Sequence, residues 1–206
     1  PRAPRALVQA IHARGGAAFV GHIERSALVD PERFAAAAPD GIEIANLHAR
    51  AAEVPTRLAL GHLLLPARLA LRPLLGAPRA NLERWSKLPG ARSIVGGVDA
   101  HAKFRALGPL GGTLDRYRDT FRLLTTHVLV RERSESAILE ALRVGRSYVA
   151  FEGISPVDRF EVSRQGSAVR VRAPREALLA LVCEGEVASE AVGLEVELRS
   201  VQDTSR

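Results

Sequence analysis

The chain has 206 residues, a net charge of +6 and an isoelectric point near 10.5, with 47% hydrophobic and 25% charged residues. Such a chain can bury one sizeable core plus a small appendage. No stretch qualifies as a membrane span, because the most apolar one, 58–75, is interrupted by His62, Pro66, Arg68, Arg72 and Pro73. The basic balance does not point to specific nucleic-acid binding: only Lys87 and Lys103 are lysines, the arginines are scattered among acids, and aromatics make up 4%, where a binding groove wants clustered cations and stacking rings.

In chain order, a helix over 4–14 stops at Gly15-Gly16 and leads into a strand over 17–21, Ala17-Ala18-Phe19-Val20-Gly21, whose exit carries His22. Asp30-Pro31-Glu32 opens a second helix with an N-cap and a proline in the first turn. A strand over 41–45 follows, with Glu43 inside it and Asn46 at its exit. A mostly helical insertion over 47–88 contains Trp85, and a strand over 92–98 then delivers Gly96-Gly97-Val98-Asp99-Ala100-His101. The next loop, 102–119, is charged and rich in glycine at Gly108, Gly111 and Gly112, a composition suited to covering a site. A strand over 126–130, a helix over 134–144 capped by Ser134 and ended by Gly145, and a strand over 147–151 complete this part. Beyond Gly153 the pattern changes to short alternating runs at 160–163, 168–172, 178–182 and 193–198, the spacing of an all-β, sandwich-like segment. Ile154-Ser155-Pro156 marks the expected boundary between a unit over 1–153 and a β-rich appendage over 154–206. Cys183, the one cysteine, excludes an intrachain disulfide and reads as a small core residue at the end of an apolar run.

Three successive strand exits thus carry His22, Glu43 with Asn46, and Asp99 with His101. On an extended segment residues i and i+2 face one side, so Asp99 and His101 present an oxygen and a nitrogen to the same space. A hard carboxylate with imidazoles and no thiolate suits zinc, manganese or iron. In a parallel α/β barrel such residues converge, because function gathers at the C-terminal ends of the strands.

Taken together, the helix-Gly-Gly-strand-His block from His12 to His22, Gly41-Ile42-Glu43-Ile44-Ala45-Asn46, Gly96-Gly97-Val98-Asp99-Ala100-His101 and Ala141-Leu142-Arg143-Val144-Gly145-Arg146-Ser147-Tyr148-Val149-Ala150 resemble the PHP (polymerase and histidinol phosphatase) superfamily of metal-dependent phosphoesterases. The resemblance implies an α/β fold, the C-terminal part of a distorted (β/α)7 TIM-like barrel followed by a small all-β segment. It implies His22, Asp99 and His101 as metal ligands and Glu43 and Asn46 as catalytic or ligand-orienting residues. His48, Lys103 and Arg105 would line the site. Two or three divalent ions in the complete protein would activate water against a small anionic phosphoester. Family members begin with a His-x-His strand and a further acid and His, which this chain lacks, and a proline that usually follows the third-motif His is here Ile23. The chain therefore reads as the C-terminal part of a longer, soluble bacterial-type protein of cytoplasm or periplasm, inactive alone.

The remaining histidines have plainer readings: His12 as surface or as a residue supporting the ligands from behind, His62 as packing or capping within an apolar helix, and His127 as structural at the wrong end of its strand. Solvated surface is the plainer role of Lys103, Arg105 and Arg146. The competing functional reading is a non-catalytic PHP-like scaffold whose β appendage binds a partner or glycan. A third is a different metal hydrolase on a TIM-type barrel, such as an amidohydrolase.

Overall fold

The computed structural model describes residues 3–54, 56, 60, 61, 64–102, 113, 116–183 and 185–199. The chain divides into two compact units, Pro1–Ile154 and Ser155–Arg206. His62, Lys103, Arg105 and the glycines at 108, 111 and 112 lie outside the described residues.

The first unit is mixed α/β. Helix α1 (Pro4–His12) starts on a proline at its first turn, where the missing N–H costs nothing. It leads to β1 (Phe19–Val20), and α2 (Pro31–Ala37) follows with Asp30 accepting from the Arg33 N–H as its N-cap. Strand β2 (Gly41–Asn46) runs directly into α3 (Leu47–Glu53), and β3 (Ser93–Gly97) comes after α4 (Ala67–Ala70), a 3-10 turn at Arg72–Leu74 and α5 (Arg79–Ser86). These three strands form one parallel sheet in the order β1-β2-β3, with Phe19 opposite Gly41 and Ile42 opposite Ile94. Ile42, Ile44 and Ala45 are almost wholly buried and join Phe34, Ile23 and Leu74 in the core. A run apolar on both faces is what a covered parallel strand requires.

Helix α6 (Tyr117–Thr120) precedes β4 (Thr125–Val128), and α7 (Glu135–Arg143) separates β4 from β5 (Ser147–Ala150). β4 and β5 pair antiparallel, with Thr125 opposite Ala150 and Val128 opposite Ser147. They meet β3 through hydroxyls: Gly96 N–H donates to Thr126 Oγ1 at 2.8 Å, Thr126 Oγ1 donates back to the Gly96 carbonyl at 3.1 Å, and Ser147 Oγ donates to the Ile94 carbonyl at 3.0 Å. With Ser147 beside Ile94 and Val149 against Gly96, β5 runs in the direction of β3 and β4 runs against it. Among the described residues the strands do not close into a barrel.

This direction changes the reading of His127. It lies inside β4, opposite Tyr148, and because β4 is antiparallel its N-terminal end is at the end of the sheet where β3 exits. His127 is nonetheless engaged structurally, its Nε2 2.9 Å from Glu152 Oε1 and its ring stacked on Tyr148 at 4.7 Å. His12 is not a plain surface residue: its Nε2 lies 2.8 Å from Oδ2 of Asp40, a carboxylate that also accepts the Ala18 N–H at 2.7 Å.

The second unit is one antiparallel sheet in the order β6-β7-β8, formed by β6 (Glu161–Gln165), β7 (Ala168–Cys183) and β8 (Glu186–Arg199). Two of the short runs expected from the sequence are a single strand, β7. Its register against β8 shifts between Arg172 and Ala177, the interval containing Pro174. A bulge lets the ladder pass a residue that cannot donate. Among its described residues this unit contains a single sheet, and Cys183 is half-buried at a strand end rather than in a core.

Candidate functional site

At the exits of β1, β2 and β3 the chain assembles a polar cluster on a floor of fixed hydrogen bonds. In an unbroken strand Glu43 and Asn46, three residues apart, would face opposite sides of the sheet. The register of β2 against β3 shifts between Glu43 and Ala45, and this irregularity turns both side chains to one place. Asn46 Nδ2 donates to Glu43 Oε1 and Oε2 at 3.1 and 3.2 Å and reaches Asp99 Oδ2 at 3.4 Å. Its Oδ1 accepts the Ala49 N–H at 2.8 Å, capping α3. Both ends of the buried amide are thereby used, which fixes its orientation.

Glu43 also accepts the backbone N–H of His22 at 3.0 Å. His22 sits just past β1 with φ +51°, and its carbonyl accepts the N–H groups of Arg25 and Ser26. Asp99 has φ +48° and Ala102 φ +54°. Left-handed backbone at non-glycine residues is costly and gathers at sites whose surroundings over-determine it. Asp99 and His101 thus come together through a left-handed turn after β3 ends at Gly97, not by alternation along an extended strand.

The Asp99 carboxylate stands between two imidazoles, with His22 Nε2 3.6 Å from Oδ2 and His101 Nε2 3.8 Å from Oδ1. The His22 and His101 side chains are about half exposed, at 51% and 52%. His48, in the first turn of α3, places its ring centroid 4.9 Å from that of His101. The glycines before Asp99 have a steric cause: a Cβ at Gly97 would lie 2.5 Å from Glu43 Oε1, and one at Gly96 would lie 2.6 Å from Val149 Cγ1.

The separations suit ligands pairwise. Donors bound at ~2.1 Å in a tetrahedral shell are ~3.4 Å apart, close to the two His–Asp distances here. Among the described residues, however, no group of three or more His, Cys, Asp or Glu side chains is arranged to hold a metal ion. The two imidazoles address opposite oxygens of Asp99, so these residues fit as part of a donor set.

Sequence reasoning missed two supports. Asn81 of α5 donates to Glu24 Oε1 at 2.6 Å and to the carbonyl of Ile44, the residue within the irregularity of β2, at 2.9 Å. Arg84 Nη1 in turn donates to Asn81 Oδ1 at 3.0 Å. A lone asparagine in a polar helix gives no sequence signal for such a role. Glu152, after β5, was the other, pairing with His127.

Compared with family models, curated proteins and solved structures, the chain matches none. Among the described residues no helix is long and apolar enough to cross a membrane.

Proposed function

We propose that the chain carries part of the metal centre of a PHP-type, metal-dependent phosphoesterase, and that its α/β unit is part of a (β/α)7 barrel. The observation that supports this most directly is the clustering of His22, Asp99 and His101, from two separate strand exits, around one carboxylate over the Glu43–Asn46 pair. In this reading His22, Asp99 and His101 are ligands to zinc, manganese or iron. Bound divalent ions would supply Lewis acidity and an activated water toward a small anionic phosphoester.

The protein's own residues set the stage. Glu43 holds the His22 backbone in its left-handed turn, Asn46 bridges the Glu43 and Asp99 carboxylates by donating to both, and His48 flanks the His101 ring. These contacts restrict the side chains before substrate arrives, which is how a site lowers the cost of orientation.

The test measures manganese and zinc binding by calorimetry, together with hydrolysis of an aryl phosphate, on this chain and on the chain extended by any upstream coding sequence. Metal binding should weaken at least about tenfold in Asp99→Ala and in His101→Ala, since each removes a ligand. Turnover, where present, should vanish with a chelator. Wild-type metal affinity in both variants would overturn the site. Metal binding without turnover in either form would reject the enzyme in favour of a binding module.

A further inference from the structure

We propose that the groove between α4 and α6 is a binding site for a compact oligophosphate, an anion of the pyrophosphate or tripolyphosphate class. The groove has a volume of about 500 Å³, and among the described residues it is lined by Arg68, Arg116, Arg118 and Arg122, with Thr113 and one acid, Asp119. A second hollow of about 230 Å³ shares Arg68, Asp119 and Arg122 with it and adds Arg72 over Leu69 and Leu123. The scatter of arginines along the sequence hides this concentration, because Arg68 reaches the others only through the packing of α4 on α6.

The cations are not spoken for. Among the described residues Arg68, Arg116 and Arg122 make no ion pair and no side-chain hydrogen bond, and the Arg118 Nε to Asp119 Oδ1 separation is 4.0 Å, at the limit of an ion pair. Arg72 is held instead by the carbonyls of Gly153 and Ile154, at 3.1 and 3.5 Å. Arg118 and Arg122 stand four residues apart across the end of α6, a spacing at which like charges repel. Among the described residues that line it, four guanidinium groups against one carboxylate leave about three positive charges uncompensated, and a bound anion relieves that repulsion.

Phosphate is the chemistry that fits. Guanidinium groups present planar pairs of donors that match phosphate oxygens two at a time. Several guanidiniums around one hollow call for a ligand with several anionic oxygens close together, and the excess of positive charge matches an oligophosphate better than a monoanion. None of the described residues lining the larger groove is aromatic, so they offer no ring platform of the kind on which single-stranded nucleic acid stacks. The site does not depend on the metal reading. Arg116 and Arg122 lie in the segment that enters β4, and Gly153 lies beyond β5, so the groove is at the end of the sheet where β3 delivers Asp99.

The experiment is calorimetric titration of this chain with inorganic tripolyphosphate, in the presence of a chelator so that bound metal plays no part. Saturable binding is expected, weakening steeply with added salt. Arg68→Ala and Arg122→Ala should each weaken it by about tenfold, and Arg68→Lys by less, because a lysine keeps the charge and loses the paired donors. Arg133→Ala, at an exposed arginine outside the groove, should leave it unchanged. The proposal is overturned if tripolyphosphate does not bind, if the Arg68→Ala/Arg122→Ala double variant binds like wild type, or if Arg133→Ala weakens binding as much. Tighter binding of a single-stranded oligonucleotide, lost in the same groove variants, would also overturn it and assign the groove to nucleic acid.

Discussion

The Glu43 carboxylate accepts the backbone N–H of His22 at 3.0 Å while His22 stands at φ +51°. One side chain on β2 thus holds the strained backbone of a residue just past β1. Glu43→Ala removes that acceptor and also the partner of the buried Asn46 amide, and the expected loss is about 1–3 kcal/mol for leaving such donors unmet. Thermal unfolding measures the loss. The His22 ring resonances should shift with it, since the turn that aims the ring is released. Glu43→Gln keeps an acceptor and should cost less; equal losses would mean that the carboxylate does not act through this hydrogen bond.

Two glycines separate damage to the site from damage to the fold. A Cβ at Gly97 would lie 2.5 Å from Glu43 Oε1, the movable end of a side chain, whereas a Cβ at Gly41 would fall on the Ser93 carbonyl oxygen of the neighbouring strand. Gly97→Ala should therefore displace Glu43 and change the environments of His22 and His101 at a cost of about 1 kcal/mol, within the range for modest overpacking. Gly41→Ala forces two paired strands apart and should destabilise by about 3 kcal/mol or more, at the upper end of that range. Chemical denaturation of the two variants, read beside histidine spectra, distinguishes the outcomes.

The strand exits were legible because short apolar runs ending in glycine or a polar residue have few alternatives, and the caps at Asp30 and Ser134 were legible because side-chain chemistry at a helix start is local. What escaped was everything decided by distant packing. Residue pattern does not encode strand direction, so β4 was placed with its N-terminal end away from the site, although it runs antiparallel to β5. The irregularity at Ile44 and the left-handed Asp99 bring Glu43, Asn46, Asp99 and His101 together by departing from the regular alternation that suggested their convergence. The runs at 168–172 and 178–182 read as separate strands, whereas β7 continues through the interval between them. The arginines of the groove looked scattered because Arg68 and Arg122 meet only after α4 packs on α6.

At the opposite end of the sheet Asp40 ties three elements together. Its Oδ2 accepts the Ala18 N–H at 2.7 Å and lies 2.8 Å from His12 Nε2, while Oδ1 is 3.7 Å from Arg143 Nε. Its side chain is only 11% exposed. Asp40→Ala leaves the Ala18 N–H and the His12 imidazole without their acceptor and removes the carboxylate nearest the partly exposed Arg143 guanidinium, and a loss of about 1–3 kcal/mol is expected from the unmet donors. His12→Ala removes only one of the three contacts and should cost less. Denaturant midpoints rank the two, and a larger effect for His12→Ala would show that the carboxylate is not the hub.

Tyr148 supplies a prediction in pH. Burial raises its phenol above the usual tyrosine value near 10, and the neighbouring Glu152 charge raises it further. The His127 ring covers one face of the phenol, stacked at 4.7 Å with an interplanar angle of 8°. Because the folded-state value lies above the unfolded one, the folded state holds the phenolic proton more tightly. The resulting stability is fully present below about pH 10, the unfolded tyrosine value, and is lost as pH rises through the raised folded value. Ultraviolet titration of phenolate formation in a Tyr117→Phe background follows Tyr148 alone, since the chain has two tyrosines. Ionisation should begin later than in the unfolded chain. His127→Ala uncovers the ring and should move the titration back toward the ordinary value by more than Glu152→Gln does, because burial is the larger cause. A greater return in Glu152→Gln would reverse that order and make the carboxylate the dominant influence on this tyrosine.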